Sequence, residues 1–147
     1  MGRVAVVADT SFYVGPHIAR LLAGRGHDLV VAAPEDGLVD ELESLGATVE
    51  VVPDRVRLSD PDAATALVQA GLDRFGHVDA AVAFTGRVVT GSFLSSTADD
   101  LDAALRGCVV EPYHFLRAVV PAMVRQQHGQ VLVFTSAAGS RPTPNAP

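Results

Sequence analysis

The chain has 147 residues, 48% hydrophobic and 19% charged, a composition that excludes intrinsic disorder and fits one domain. Eleven basic against seventeen acidic residues leave a net charge of −6, which argues against a nucleic-acid partner because a phosphate backbone rewards a basic face. The single cysteine, Cys108, excludes an intramolecular disulfide or a cysteine-zinc cluster, and no apolar run approaches the roughly 18–20 residues of a membrane helix, so a soluble, cytoplasmic protein with no membrane partner is expected.

Residues 3–8 (RVAVVA) are nearly all apolar and valine-rich, as in a strand buried on both faces. A turn over residues 9–13 follows. Gly15-Pro16 then opens a helix, because proline's missing N–H is harmless in a first turn. Val14, Ile18, Leu21 and Leu22 are expected on its inner face, and Gly24 and Gly26 at its end. Residues 28–33 (DLVVAA) read as a second strand, stopped by Pro34. Leu38, Leu42 and Leu45 mark a short helix closed by Gly46. Residues 48–52 (TVEVV) make a third strand, closed by Pro53.

Ser59-Asp60-Pro61 signals a helix start. Ala64, Val68 and Leu72 follow on one face, and Phe75-Gly76 ends the helix. Residues 78–84 (VDAAVAF) are a fourth strand. Thr97-Ala98-Asp99-Asp100 has the form of a capping box with aspartate in place of glutamate. It opens a helical stretch to about Gln127, which Pro112 and Pro121 should kink or split. Residues 130–135 (QVLVFT) are a fifth strand, and residues 139–147 a loop.

Strand–helix alternation with strands buried on both faces predicts an α/β, doubly wound parallel sheet in the order 3-2-1-4-5, one domain over residues 1–147. Such sheets bind ligands at the carboxyl ends of the strands, near the switch between strands 1 and 4. Four segments therefore share one crevice: residues 9–15, 33–35, 83–86 and 135–139.

Those segments resemble the short-chain dehydrogenase/reductase family. Residues 3–26 (RVAVVADTSFYVGPHIARLLAGRG) resemble its first strand, cofactor loop and first helix. Residues 75–86 (FGHVDAAVAFTG) resemble its Gly-x-Val-Asp-x-x-Val-Asn-Asn-Ala-Gly strand, and residues 114–139 (HFLRAVVPAMVRQQHGQVLVFTSAAG) its long helix and serine-bearing strand. The resemblance implies a Rossmann-like domain and an oxidoreductase using NAD or NADP on the carbonyl or secondary alcohol of a small molecule. It assigns Asp9, Ser11, Tyr13 and Gly15 to the cofactor loop, Asp54 to adenine and Gly86 to the strand-4 motif. Ser136 matches the serine that hydrogen-bonds the substrate oxygen. Cys108 stands where the family has a catalytic asparagine. The family's tyrosine and lysine fall beyond Pro147, so the domain reads as truncated before the tyrosine.

The family loop Thr-Gly-x-x-x-Gly-x-Gly here reads Ala8-Asp9-Thr10-Ser11-Phe12-Tyr13-Val14-Gly15, keeping only the last glycine. Glycines let backbone amides approach a pyrophosphate at the helix N-terminus. The ring of Tyr13 and the charge of Asp9 should weaken that binding. After strand 2, Ala33-Pro34 supplies neither the acidic residue of NAD users nor the basic residue of NADP users, and Glu35 is the nearest charge.

The loop is also similar to that of the halohydrin dehalogenases, Thr-x4-[Phe/Tyr]-x-Gly, in all but its first position. This implies a cofactor-free lyase in which Tyr13 walls a halide pocket. A third reading is a catalytically silent family member acting as a binding or assembly partner. The family's long helix implies homo-oligomerisation through residues 101–127. Plainer roles stand beside these. Asp9 fits a turn residue capping nearby amides, Cys108 a core residue, and Phe93 and Leu94 either pocket or core. The five histidines lack metal-ligand spacing, so no metal is expected.

Overall fold

In the computed structural model the described residues are 2–11, 13–53, 58–85 and 90–134. Five strands form one sheet: β1 (Arg3–Val7), β2 (His27–Ala32), β3 (Val49–Val52), β4 (Ala80–Phe84) and β5 (Gln130–Phe134). Their order is β3-β2-β1-β4-β5 and every pairing is parallel. The predicted α/β topology is the observed one.

Consecutive strand residues serve opposite layers, as the two-residue period requires. Ala5, Leu29 and Val31 pack with Ala19 and Ala23 of α1 (Gly15–Gly24) and with Leu38 and Leu42 of α2 (Leu38–Ser44). Val6 and Val30 face the other way, onto Ala64, Leu67 and Val68 of α3 (Pro61–Phe75) and Phe115 and Val119 of α5 (Glu111–Gln126). Fully burying one such side chain contributes roughly 1.5–3 kcal/mol. Gly71 lets α3 lie close to the sheet, since a Cβ there would sit 3.0 Å from Val78 and 3.2 Å from Val30.

Two apolar stripes differ from expectation. The buried face of α1 is Gly15, Pro16, Ala19 and Ala23, while Leu21 is exposed and Ile18 half-buried. Close approach to the sheet selects small residues at its centre; of the expected stripe Leu22 packs against this layer from its flank, while Leu21 points to solvent. Leu45 lies one residue past α2 and is also exposed.

The long helical stretch is divided. Thr97 and Asp100 form the predicted capping box, each accepting the other's amide, and open α4 (Ala98–Leu105). A π-helical segment, Arg106–Val110, then leads into α5, with the Glu111 amide donating to the Arg106 carbonyl five residues back. Pro112 explains the break: it has no N–H, and its ring would crowd the carbonyl four residues earlier, at Cys108. Pro121, by contrast, is contained within α5. Cys108 is exposed on this segment and is not a core residue. Phe93 and Leu94, in a 3-10 turn (Phe93–Ser95), are exposed and join no core.

Candidate functional site

The chain leaving β1 crosses the switch point in two stitches. The Ala8 amide donates to the Val82 carbonyl of β4 at 2.9 Å, and the Thr10 amide to the Ala32 carbonyl of β2 at 3.0 Å. Thr10 is fully buried; its hydroxyl also donates to Ala32, and its own carbonyl accepts from Glu35. Thr10 thereby pins the start of the crevice loop to the end of β2. In the sequence it reads only as a turn residue. The available signal is a hydroxyl directly after a buried strand.

Asp9, between these stitches, turns its carboxylate back onto the loop. Oδ1 accepts from the Ser11 amide at 2.9 Å and from the Ser11 hydroxyl at 2.7 Å. The capping role expected of Asp9 is the one observed. Gly15 sits under the Asp9 backbone, where a Cβ would fall 2.0 Å from the Asp9 carbonyl oxygen. The start of α1 carries no side-chain cap and no acidic residue in its first turn.

Tyr13 does not pack under α1. Its backbone is left-handed, at φ 58°, and the residue is 72% exposed. The ring meets Phe84 edge-on, with centroids 6.4 Å apart at 90°. Phe84 in turn stacks at 4.6 Å on Phe134, its register partner across β4 and β5. Three aromatic rings from three segments thus line the carboxyl end of the sheet. No sequence signal assigns Phe134 to the site; only the parallel register brings it there.

At the end of β2, Glu35 is engaged by Arg20 of α1 at 2.9 Å, and the same guanidinium reaches Glu41 of α2 at 2.6 Å. Hydrogen bonding to Glu41 and then Glu35 holds the Arg20 guanidinium above its ordinary value. Such part-exposed pairs add little stability, but this one fixes where the Glu35 charge lies. Asp9, Ser11, Tyr13 and Gly15 lie together on the turn between β1 and the start of α1. Asp54, Gly86 and Ser136 lie outside the described residues. Among the described residues no cluster of His, Cys, Asp or Glu is arranged to hold a metal ion, and no helix is long and apolar enough to cross a membrane.

A parallel sheet with this strand order and a loop crossing its switch point defines a doubly wound, nucleotide-type domain. The short chain dehydrogenase family matches residues 3–147, and the chain belongs to that family. In an alignment of 144 positions that covers 89% of this chain, it is 33% identical to a hydroxy(phenyl)methylsuccinyl-CoA dehydrogenase subunit of Thauera aromatica. In an alignment of 159 positions that covers 97% of this chain, it is 31% identical to an uncharacterized NAD-dependent oxidoreductase of Mycobacterium tuberculosis. A 3-oxoacyl-acyl-carrier-protein reductase of Brucella melitensis in complex with NAD superposes with a TM-score of 0.84 at 27% identity, over 99% of this chain and 60% of that one. The chain spans about half the length of the curated relatives it matches.

The family's usual hydride carrier is a nicotinamide dinucleotide, whose diphosphate needs donors at this loop. The scaffold suits it: the loop crosses the switch point and Gly15 gives α1 a close approach. The loop as it stands does not. The Ser11 donors are engaged by Asp9, and that carboxylate adds charge of the diphosphate's own sign.

Proposed function

We infer that the chain supplies the crevice of an oxidoreductase acting on the carbonyl or secondary alcohol of a small molecule. NAD or NADP is the hydride carrier this reading names, and a cytoplasmic setting is part of it. The observation that carries it is the loop of residues 9–15 at the sheet's switch point, in a chain matched to the family over residues 3–147. In the sequence Ser136 comes two residues after β5, the strand whose last residue, Phe134, pairs with Phe84. In this reading its hydroxyl donates to the substrate oxygen and holds it for protonation. The aromatic rings of Phe84 and Phe134 exclude water from the apolar side of the substrate.

Titration of the purified protein with NADH and NADPH, followed by fluorescence and thermal shift, tests the reading. Saturable binding of either is the expected result. Absence of binding, together with halide release from a vicinal halohydrin, would overturn it in favour of the cofactor-free lyase. One observation favours that second reading: Tyr13 stands exposed at the mouth of the crevice against Phe84, where a small leaving group would meet an aromatic wall.

The same reading includes assembly. Leu101, Leu105, Val109, Leu116, Val120 and Val124 are all exposed along α4, the π segment and α5. They recur at four-residue steps, with one seven-residue step between Val109 and Leu116, which keeps them on one stripe. A second copy of the chain is the occupant we assign to it, two such stripes burying one another about a twofold axis.

A further inference from the structure

Resting on the nucleotide reading of the crevice, we propose that Asp9 is its specificity-determining residue against diphosphate. The carboxylate is an internal anion that occupies both Ser11 donors of the loop, and a dinucleotide binds only by displacing it.

Three features make Asp9 hard to move aside. Its neighbours on both sides are tied to different strands, Ala8 to β4 and Thr10 to β2. Its carbonyl is packed against Gly15, leaving no room for even a methyl group. Its carboxylate is doubly bonded to Ser11, through the amide and the hydroxyl. The backbone at residue 9 is therefore fixed, and the side chain has a stable resting place on the loop itself.

The electrostatic setting points the same way. The first turn of α1 lacks any acidic residue and any side-chain cap, and a helix N-terminus is an electropositive end that favours an anion. In a glycine-lined loop that anion is the ligand's phosphate. Here a fixed carboxylate stands in the preceding turn, serving the loop before any ligand arrives. An incoming diphosphate loses the Ser11 donors to Asp9 and meets a like charge. A ligand without phosphate meets neither obstacle, and the Tyr13–Phe84–Phe134 rings offer it an apolar wall.

The test compares wild type, Asp9→Gly and Asp9→Asn in the intact purified protein, with folding checked by thermal unfolding. NADH is titrated beside reduced nicotinamide riboside, which carries the same ring and no phosphate. Asp9→Gly is expected to tighten NADH binding at least about tenfold, with Asp9→Asn in between, because asparagine keeps an acceptor for Ser11 and drops the charge. Riboside affinity is expected to stay the same across the three proteins. Equal, measurable NADH affinity in all three overturns the proposal and leaves the nucleotide reading standing. So does an equal gain for the riboside, which would show that the effect does not run through phosphate. If no variant binds NADH or NADPH at millimolar concentration, the nucleotide reading itself falls, and the proposal with it.

Discussion

The contact between Gly15 and the Asp9 carbonyl is the tightest constraint a single residue places on the crevice. A Cβ at position 15 would lie 2.0 Å from that oxygen and 3.1 Å from its carbon, and both atoms are backbone. No rotamer change relieves such a clash, so either α1 or the loop must shift. Gly15→Ala is expected to cost at least about 2–3 kcal/mol in denaturant unfolding. At Gly24, the last residue of α1, an added methyl group would meet nothing within 4 Å. Gly24→Ala should instead stabilise by up to about 1 kcal/mol. Equal effects at the two positions would contradict the close approach. The loop is legible in the sequence because polar and aromatic side chains stand where a phosphate cradle needs glycines. The partner of the Asp9 carboxylate is not, because a turn can aim it at its own amides or outward with the same letters.

At the scale of elements, the amino ends of the strands are joined by one carboxylate. Asp79, just before β4, accepts from the Val4 amide at 2.7 Å and from His128 Nε2 at 2.8 Å, and lies 3.3 Å from His77 Nε2. His128 also directs Nδ1 at the Gln126 carbonyl, so its two ring nitrogens meet two acceptors and only the protonated ring satisfies both. The Gln126 carbonyl and then the Asp79 carboxylate raise His128 above its ordinary value. Burial pushes Asp79 up, but the Val4 amide, His128 and His77 together outweigh it and hold the carboxyl below its ordinary value.

The two shifts fix the sign of the pH dependence. The His128 contribution is complete below about pH 6.5 and is lost as pH rises through the raised folded value. The Asp79 contribution is complete above about pH 4 and is lost as pH falls through the lowered one. Stability from this clasp is therefore greatest between those limits and declines as pH rises past the upper one. Denaturation midpoints from pH 5 to 9 should show that decline in wild type and a flatter profile in His128→Gln. Identical profiles would mean that His128 does not hold the turn into β5. Element boundaries themselves follow closely from capping residues, prolines and glycines, which act within a few residues. The π segment does not, because the sequence announces that Pro112 breaks the helix but not how the chain absorbs the break.

For the molecule as a whole, two faces are left apolar. One is the stripe along α4 and α5. The other is β5, the last strand in the sheet order among the described residues, with Leu132 half exposed. The stripe gives a direct test. Leu105→Glu with Val120→Glu should convert a dimer or larger species to monomer in sedimentation equilibrium, with the far-ultraviolet circular dichroism unchanged. A wild-type chain that sediments as a monomer at high micromolar concentration would rule out the assigned interface.

Strand order, layer assignment and most helix ends were determined by the sequence alone. Period-two and period-3.6 hydrophobicity, together with local breakers, leave few ways to bury apolar strands on both faces. The tertiary structure alone decided that small residues of α1 face the sheet, that Cys108 is exposed, that Thr10 anchors the loop and that Phe84 meets Phe134. Each of these depends on residues brought together through space by strand register and helix approach, distances that no local pattern of letters encodes.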